Sequence, residues 1–594
     1  MLGHADQTMA SSMASCLSHR GPDGSGVFSE QLESGGVAFG NARLSIVDIA
    51  GSSQPIGSDH GAVLIQNGEI YNHVRLRAQS TGYPWRTSGD SEAILAMHRP
   101  ASQSTRGSPG NPAEAHVEWV SRLDGIWAFA LWDPSCRELV LSRDSMGVKP
   151  LVRTLLPDGT LLFASEVKAF RAHPDFRAEP DVDALAVRLA YEYPLDRTTL
   201  FKGVVQVGQG TIETWSLDAQ GRALLTGVAR YSRDIVAPQG EWDPSTQASI
   251  LLDSFRSGLE DRLMSDVPVG IVLSGGLDSS MVAALAHQAA ESTGKPVPEC
   301  WTVADSEDNP DFRAAELVAQ HHELKHHTKI MGEDAFWRGL PRFTWSGEDL
   351  DITVLFWQSL FKEMSGHVTV GLCGQGADEL HAGYTRYRDL TRHARLISKR
   401  LSLAQGLDHS SLEHGPGQPW EDTTIAPDSH FRDLTCALQF EIDRGQLSNF
   451  QLRLADRHSM AYGLEVRVPF LSSQHRAEAN RLPMGWKLSA DSEKMALREA
   501  AALTELPEQI VRRPKLSAGT ATTPSLLGAL MDELTPHALE WAKGYGRLSD
   551  QLRDQPDMAI GMRLFHSIHF TDDPQSRASK PLMDLLEDVG DWPV

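Results

Sequence analysis

At 594 residues the chain is too long for one hydrophobic core, and its net charge of −23 disfavours a polyphosphate backbone as partner. No run approaches the ~18 apolar residues of a membrane span, so two or more domains with neither a membrane nor a nucleic-acid partner are expected. The opening segment MLGHADQTMASSMASCLSHR has no apolar secretory core, which points to a cytoplasmic chain. The five cysteines, Cys16, Cys136, Cys300, Cys373 and Cys436, form no CxxC pair and no metal-ligand spacing. Reduced, mostly buried thiols are therefore expected in place of disulfides or zinc.

In chain order, MASSMASCLSHR (9–20) reads as a helix with Cys16 in its core face. GAVLIQ (61–66), IWAFALW (126–132) and ELVLSR (138–143) are short apolar runs punctuated by Gly, Asn, Asp and Pro, so the first third reads as β-rich. The polar stretch RPASQSTRGSPGNPAEA (99–115) is predicted to be an exposed loop. The texture changes near residue 246, which puts a domain boundary between about 205 and 245, with domains over 1–217 and 246–594. DVPVGIVL (266–273) and HVTVGLC (367–373) read as buried strands, and SSMVAALAHQAA (279–290) as a helix. Strands alternating with helices predict a parallel sheet flanked by helices, an α/β domain. A second polar insert spans about 398–428 and contains HGPGQP (414–419); 526–594 reads as amphipathic helices.

SGGLDSS (274–280) follows the strand directly and opens the helix. Adjacent glycines let the backbone approach a ligand, and N–H groups at a helix start favour an anion. The hydroxyls of Ser274, Ser279 and Ser280 add donors, and Asp278 offers an oxygen ligand for magnesium. The spacing is not that of a Walker A loop; it resembles the loop of ATP-pyrophosphatases, which cleave ATP between its α and β phosphates. GLCGQGADELHAGY (371–384) follows a second strand and supplies Asp378 and Glu379. Asp278 and Asp378 could share magnesium.

From His19 to Ser517 the chain resembles class B, glutamine-hydrolysing asparagine synthetases. The resemblance rests on HRGPDGSG (19–26), RLSIVDIAGSSQPI (43–56), NGEIYN (67–72), SGDSEAIL (88–95), RDSMGVKPL (143–151) and FASEVKAF (163–170) in the first third. It continues through SDVPVGIVLSGGLDSS (265–280), GQGADELHAGY (374–384), DRHSMAYGLEVRVPFL (456–471), EKMALREAA (493–501) and LPEQIVRRPK (506–515). It implies an N-terminal Ntn-hydrolase glutaminase, a four-layer αββα sandwich, whose ammonia travels through an internal tunnel to a C-terminal ATP-pyrophosphatase domain. There ATP and a small-molecule carboxylate would form an acyl-adenylate, and ammonia would displace AMP. ATP and Mg2+ are the implied cofactors; glutamine or ammonia and the acid are the implied partners, with a homodimer compatible.

The resemblance also implies roles. Arg43 would pair with the glutamine α-carboxylate, with Leu44, Ser45, Ile46 and Val47 lining the same site. Asn67 and Gly68 would form an oxyanion hole, and Glu69 and Asp90 would hold the amino group. Leu273, Val303, Cys373 and Gly374 would contact the nucleotide, alongside Ser274, Gly275, Gly276, Leu277, Asp278, Ser279 and Ser280. Asp278 and Asp378 would hold the metal. Lys494, a helix-face lysine by sequence, would neutralise phosphate charge; Gln375, standing where the family has a glutamate, can orient a nucleophile through its carbonyl but cannot accept a proton.

Four positions depart from the family pattern. Met1-Leu2-Gly3-His4 stands where relatives read Met-Cys-Gly, so the glutaminase nucleophile is absent as written. CGQGADE (373–379) carries Gln375 in place of a glutamate, Ser472 stands for an aspartate after PFL, and KHHTKI (325–330) replaces a usual HHE. These changes keep two alternatives open: a specialised-metabolite ligase forming an amide, a hydroxamate or a ring as β-lactam synthetases do, and a non-catalytic binding or regulatory homologue. Glutamate release from glutamine by the chain as given is expected to be negligible; robust release matched to amide formation would contradict that.

Overall fold

The computed structural model describes residues 1–104, 110–408, 425–516 and 521–593, with backbone alone for 99–104. By packing, the chain divides into two compact units. One comprises Met1–Asp181 with Asp196–Arg233; the other comprises Val182–Leu195 with the described residues from Asp234 onward. No described helix is long and apolar enough to cross a membrane.

The first unit holds two six-stranded antiparallel sheets. One runs Val204–Gln206, Val152–Leu155, Leu161–Ala164, Leu2–Gly3, Gly35–Arg43, Gly24–Leu32. The other runs Ala223–Arg230, Thr211–Leu217, Glu138–Arg143, Gly125–Asp133, Val63–Ile70, Ile56–Gly57. Val37, Phe39 and Phe163 of the first sheet share one core with Ala128, Ala130, Trp132 and Trp215 of the second, so the sheets pack face to face. The outer face of the second sheet meets three helices through Leu76, Ile94, Trp119, Trp127 and Phe129. The outer face of the first carries the Gln7–Ser15 helix, whose Ala10 backbone lies so close to Gly40 that a Cβ there would sit 2.3 Å from its carbonyl oxygen. Helix, sheet, sheet and helix form the expected αββα sandwich. It also explains why IWAFALW is apolar throughout: Gly125–Asp133 is covered on both faces.

The second unit is built on a five-stranded parallel sheet in the order His326–Ile330, Glu299–Ala304, Val269–Val272, Val370–Leu372, Glu465–Arg467. Its core joins Ile271, Leu273 and Leu372 to helix residues Phe255, Leu259, Met281, Val318 and Leu497.

Several expectations change. The predicted 279–290 helix is two helices, Leu277–Ala284 and Ala286–Thr293, broken at Leu285. Residues 99–104 are not loop but the end of the Glu92–Ser104 helix, which the buried run Ala93–Met97 nucleates; 105–109 lie outside the described residues. Of the 398–428 insert, the start closes the Leu390–Ser402 helix, and HGPGQP lies outside the described residues. The thiols are not mostly buried: Cys300 and Cys373 are, whereas Cys16 and Cys136 are exposed. Cys16 follows the buried Ala10, Met13 and Ala14 at the helix C-cap, off their stripe.

Residues 182–195 fall before the 217 boundary yet belong to the second unit. Their anchor is Arg188, 1% exposed, which donates to Asp349 at 2.9 and 3.2 Å while Arg453 also pairs with Asp349. Burial alone would raise the Asp349 carboxyl, but the Arg188 and Arg453 guanidiniums outweigh it and hold it at about 2. Because the folded value lies below the unfolded one, this stabilisation is full above pH ~4 and is lost as pH falls towards ~2. Asp349→Ala leaves two buried guanidiniums short of a partner and is expected to cost about 3–5 kcal/mol in chemical unfolding at neutral pH. A cost under about 1 kcal/mol would show that the pair does not anchor the segment.

Candidate active site

The SGGLDSS segment spans the strand end and the first turn of the Leu277–Ala284 helix. Gly275 adopts φ +70°, and a Cβ there would sit 2.6 Å from the Ala315 nitrogen, so no larger residue fits the turn. The Ser274 amide donates to the Ser279 hydroxyl at 3.1 Å, and the Ser274 and Ser279 hydroxyls pair at 3.0 Å, closing the loop on itself. Ser280 is buried in the first turn. Leu273 and Leu277 point into the core; the Leu273 amide and carbonyl bond Trp301 and Thr302 of the neighbouring strand. Val303 is buried in that strand.

The second loop follows Val370–Leu372. Its Gly374 lies against the first loop, where a Cβ would be 2.8 Å from the Asp278 Cβ. Burial pushes the Cys373 thiol up to about 12, so it is a packing residue here. Gln375 is half-buried. Gly376 turns at φ +91° into the one-turn Ala377–His381 helix, which carries Asp378. Burial and the charge of Asp378 push the adjacent Glu379 carboxyl up to about 7, although the Tyr384 hydroxyl donates to it at 2.6 Å.

These loops bring Asp278 and Asp378 together around one ammonium. Lys494 Nζ lies 2.6 Å from both Asp278 oxygens and 2.5 Å from Asp378 Oδ1. Lys494 is neither solvated nor on a helix face: it is 1% exposed and caps the Met495–Ala501 helix in a left-handed conformation, φ +57°. A non-glycine residue is held there only when its surroundings over-determine it. A second lysine that sequence reasoning missed, Lys515, lies 2.7 Å from Asp378 Oδ2 and 3.6 Å from Asp278 Oδ2. Although burial works against it, the two carboxylates raise the Lys515 ammonium above its ordinary value and keep it charged. The two aspartates converge on one point, so they can offer hard oxygens to one divalent cation. Among the described residues no group of three or more His, Cys, Asp or Glu could hold a metal alone, so phosphate oxygens would complete the shell, as is usual for magnesium.

In the first unit, Arg43 donates to the Asp48 and Ile49 carbonyls at 2.9 Å each. Asp48 in turn accepts from Ser88 and Gly51 amides and the Ser52 hydroxyl, tying the 43–52 loop to the loop before Asp90. Asp23 accepts the Ser45 amide at 2.7 Å and fixes the same loop from its other side; Ile46 is buried, and Leu44 and Val47 are half-buried. Asn67, Gly68 and Glu69 lie in the Val63–Ile70 strand. Gly68 takes φ +120° with its Cα so near Trp127 that a Cβ would meet the Ile126 carbonyl at 2.0 Å. Asp90 accepts the Ile70 amide at 2.8 Å, which brings it beside Glu69. Glu166 is wholly buried and gathers His19, Arg20 and Lys168, joining the HRGPDG and FASEVKAF motifs.

The asparagine synthase family matches residues 251–540, and the glutamine amidotransferase domain family matches residues 2–224. A putative glutamine-hydrolysing asparagine synthetase of Mycobacterium bovis is 32% identical, over 86% of this chain and 84% of that one. Asparagine synthetase 1 of Bacillus subtilis is 29% identical over 86% and 84%, and asparagine synthetase B of Escherichia coli 27% over 84% and 76%. The chain belongs to the glutamine-hydrolysing asparagine synthetase family. It is an ATP-dependent amidotransferase, a ligase that forms a carbon–nitrogen bond.

Within this synthetase fold two of the four sequence departures find a structural place. Ser472 caps the Ser473–Arg481 helix by accepting the His475 amide at 3.3 Å, a role aspartate fills equally well. His327 stacks on Trp301 at 4.5 Å and bonds Glu299 at 2.7 Å, so KHHTKI closes the sheet edge. At Gly383 a Cβ would lie 1.9 Å from Asp378 Oδ1 and 2.2 Å from Lys494 Cε. Gly383→Ala is expected to displace both groups and lower acid-dependent pyrophosphate release by ~10²-fold or more. Release at the normal rate would show that the contact is dispensable.

Proposed function

We propose that this synthetase activates aspartate as its β-aspartyl adenylate and amidates it with ammonia drawn from glutamine or from solution. The observation that carries the reading is the pair of loop aspartates, Asp278 and Asp378, gathered around Lys494 beside a glycine turn at a helix start. Backbone N–H groups of 275–277 would hold phosphate oxygens. Asp278 and Asp378 would hold magnesium, which when bound spreads the charge of the pyrophosphate. The aspartate side-chain oxygen attacks the α-phosphorus, the α–β bridge breaks, and pyrophosphate departs with its charge met by Lys494. Ammonia, oriented by the Gln375 side-chain carbonyl, then adds to the acyl carbon, loses a proton and expels AMP.

In the glutaminase half, Arg43 would pair with the glutamine α-carboxylate, with 44–47 as its wall. Asn67 and the Gly68 amide would bind the oxyanion, and Glu69 and Asp90 the amino group. The domains proposed are 1–217, apart from the 182–195 segment that packs with the second unit, and 246–594, acting in the cytoplasm.

The test supplies aspartate, Mg-ATP and an ammonium salt, which bypasses glutamine, and follows asparagine, AMP and pyrophosphate together. Equal yields of the three are expected. ADP and phosphate in place of AMP and pyrophosphate would sink the adenylate; AMP with other acids but not with aspartate would sink the acceptor.

A further inference from the structure

The Ala377–His381 helix that presents Asp378 is a single turn, too short to hold its own shape. Its end is also strained: Ala382, wholly buried, takes φ +54°, and the Gly383 amide donates back to the Asp378 carbonyl at 2.9 Å. A non-glycine residue keeps a left-handed backbone only where its surroundings over-determine it. The surroundings of this end are buried polar groups that the chemistry above does not use. Lys487 Nζ, wholly buried, donates to the Leu380 carbonyl at 2.5 Å. His381, equally buried, places its Nε2 3.0 Å from the Nε2 of His475 in the Ser473–Arg481 helix. His475 Nδ1 lies in turn 3.0 Å from the Ser254 hydroxyl, and the rings of Phe255 and Phe470 pack against His475.

The order of protons along this chain is fixed from its far end. Ser254 has one hydroxyl hydrogen and gives it to the Leu251 carbonyl at 2.7 Å, so it can only accept from His475. His475 therefore carries its proton on Nδ1 and a lone pair on Nε2. His381 must donate to that lone pair through its own Nε2–H, which leaves His381 Nδ1 a buried lone pair with no donor. Both imidazoles stay neutral: burial holds each well below its ordinary value, and the charges that face them, Lys487 for both and Lys494 for His381, push the same way. Burying such a pair costs more than burying apolar side chains of the same size. What it adds is a bond of fixed direction between the Asp378 helix and its neighbour.

We propose that His381 and His475 are positioning residues for Asp378: their directed bond, with the Lys487 clamp on Leu380, fixes the end of the one-turn helix and keeps the Asp378 carboxylate aimed at Lys494 and at the magnesium pyrophosphate it would bind. This rests on the adenylate-forming reading of the site above.

The test is calorimetric titration of the full chain with magnesium pyrophosphate, which needs no acceptor acid, on variants first shown to be folded. His381→Phe keeps an aromatic ring and removes the donor; His381→Gln gives up the ring and keeps an N–H. Wild type should bind, His381→Phe should bind about 10-fold or more weakly, and His381→Gln should stay within about threefold of wild type. Space filling alone predicts the reverse order, and that order overturns the proposal. A folded His381→Phe that binds within about twofold of wild type overturns it as well. If His381→Phe does not fold, His475→Leu, which removes the acceptor, decides: weakening of about 10-fold supports the proposal, and unchanged binding overturns it. Wild type that fails to bind magnesium pyrophosphate overturns the reading of the site itself, and the proposal with it.

Discussion

Two carboxylates pressed into one small volume repel each other and resist desolvation, and the synthetase unit is arranged to make that tolerable. Asp278 and Asp378 arrive on loops that leave adjacent parallel strands, Val269–Val272 and Val370–Leu372, so the sheet register itself sets their approach. Lys494 lies between them, within 2.6 Å of both. The rest of the site follows from that contact. Gly374 and Gly383 leave room for the side chains to meet, Lys494 accepts an unfavourable backbone conformation to reach them, and Lys515 supplies the second charge. Two carboxylates and two ammonium groups thus meet at one point and offer both hard oxygens and cationic donors there.

The glutaminase unit solves a related problem with buried acids acting on backbone. Asp23, Asp48 and Asp90 each accept main-chain amides and so pin three loops around Arg43, Asn67 and Gly68. Burial opposes ionisation of Asp48, but hydrogen bonds from Ser88, Ser52 and Gly51 outweigh it and keep its carboxyl below the ordinary range. Glu166 gathers His19, Arg20 and Lys168 from two motifs. The residues proposed to bind glutamine are thereby set on a pinned loop, for Arg43, and on a sheet strand, for Asn67 and Gly68.

Much of this was legible in the sequence because it is local. The β-rich first third, the parallel-sheet strands and the SGGLDSS turn all announce themselves through short-range pattern, and each forms where expected. The failures are of range. Lys515 lies 137 positions from Asp378, counted from their numbers, and only folding brings it beside the two aspartates. Lys494 reads as a helix-face lysine because its left-handed φ is imposed by contacts more than two hundred residues away in the case of Asp278. Residues 182–195 carry no mark that they pack with the second unit, since that choice is made by Arg188 finding Asp349. Ser472 looked like a lost acid until its role as a helix cap appeared.

The paired aspartates and lysines are proposed to serve attack of a carboxylate on the α-phosphorus of ATP. Oxygen transfer tests it most directly. With aspartate labelled with 18O in its side-chain carboxylate, one labelled oxygen is expected in each AMP formed alongside asparagine. Label found in inorganic phosphate, with ADP as the nucleotide product, or AMP released without label, would contradict it.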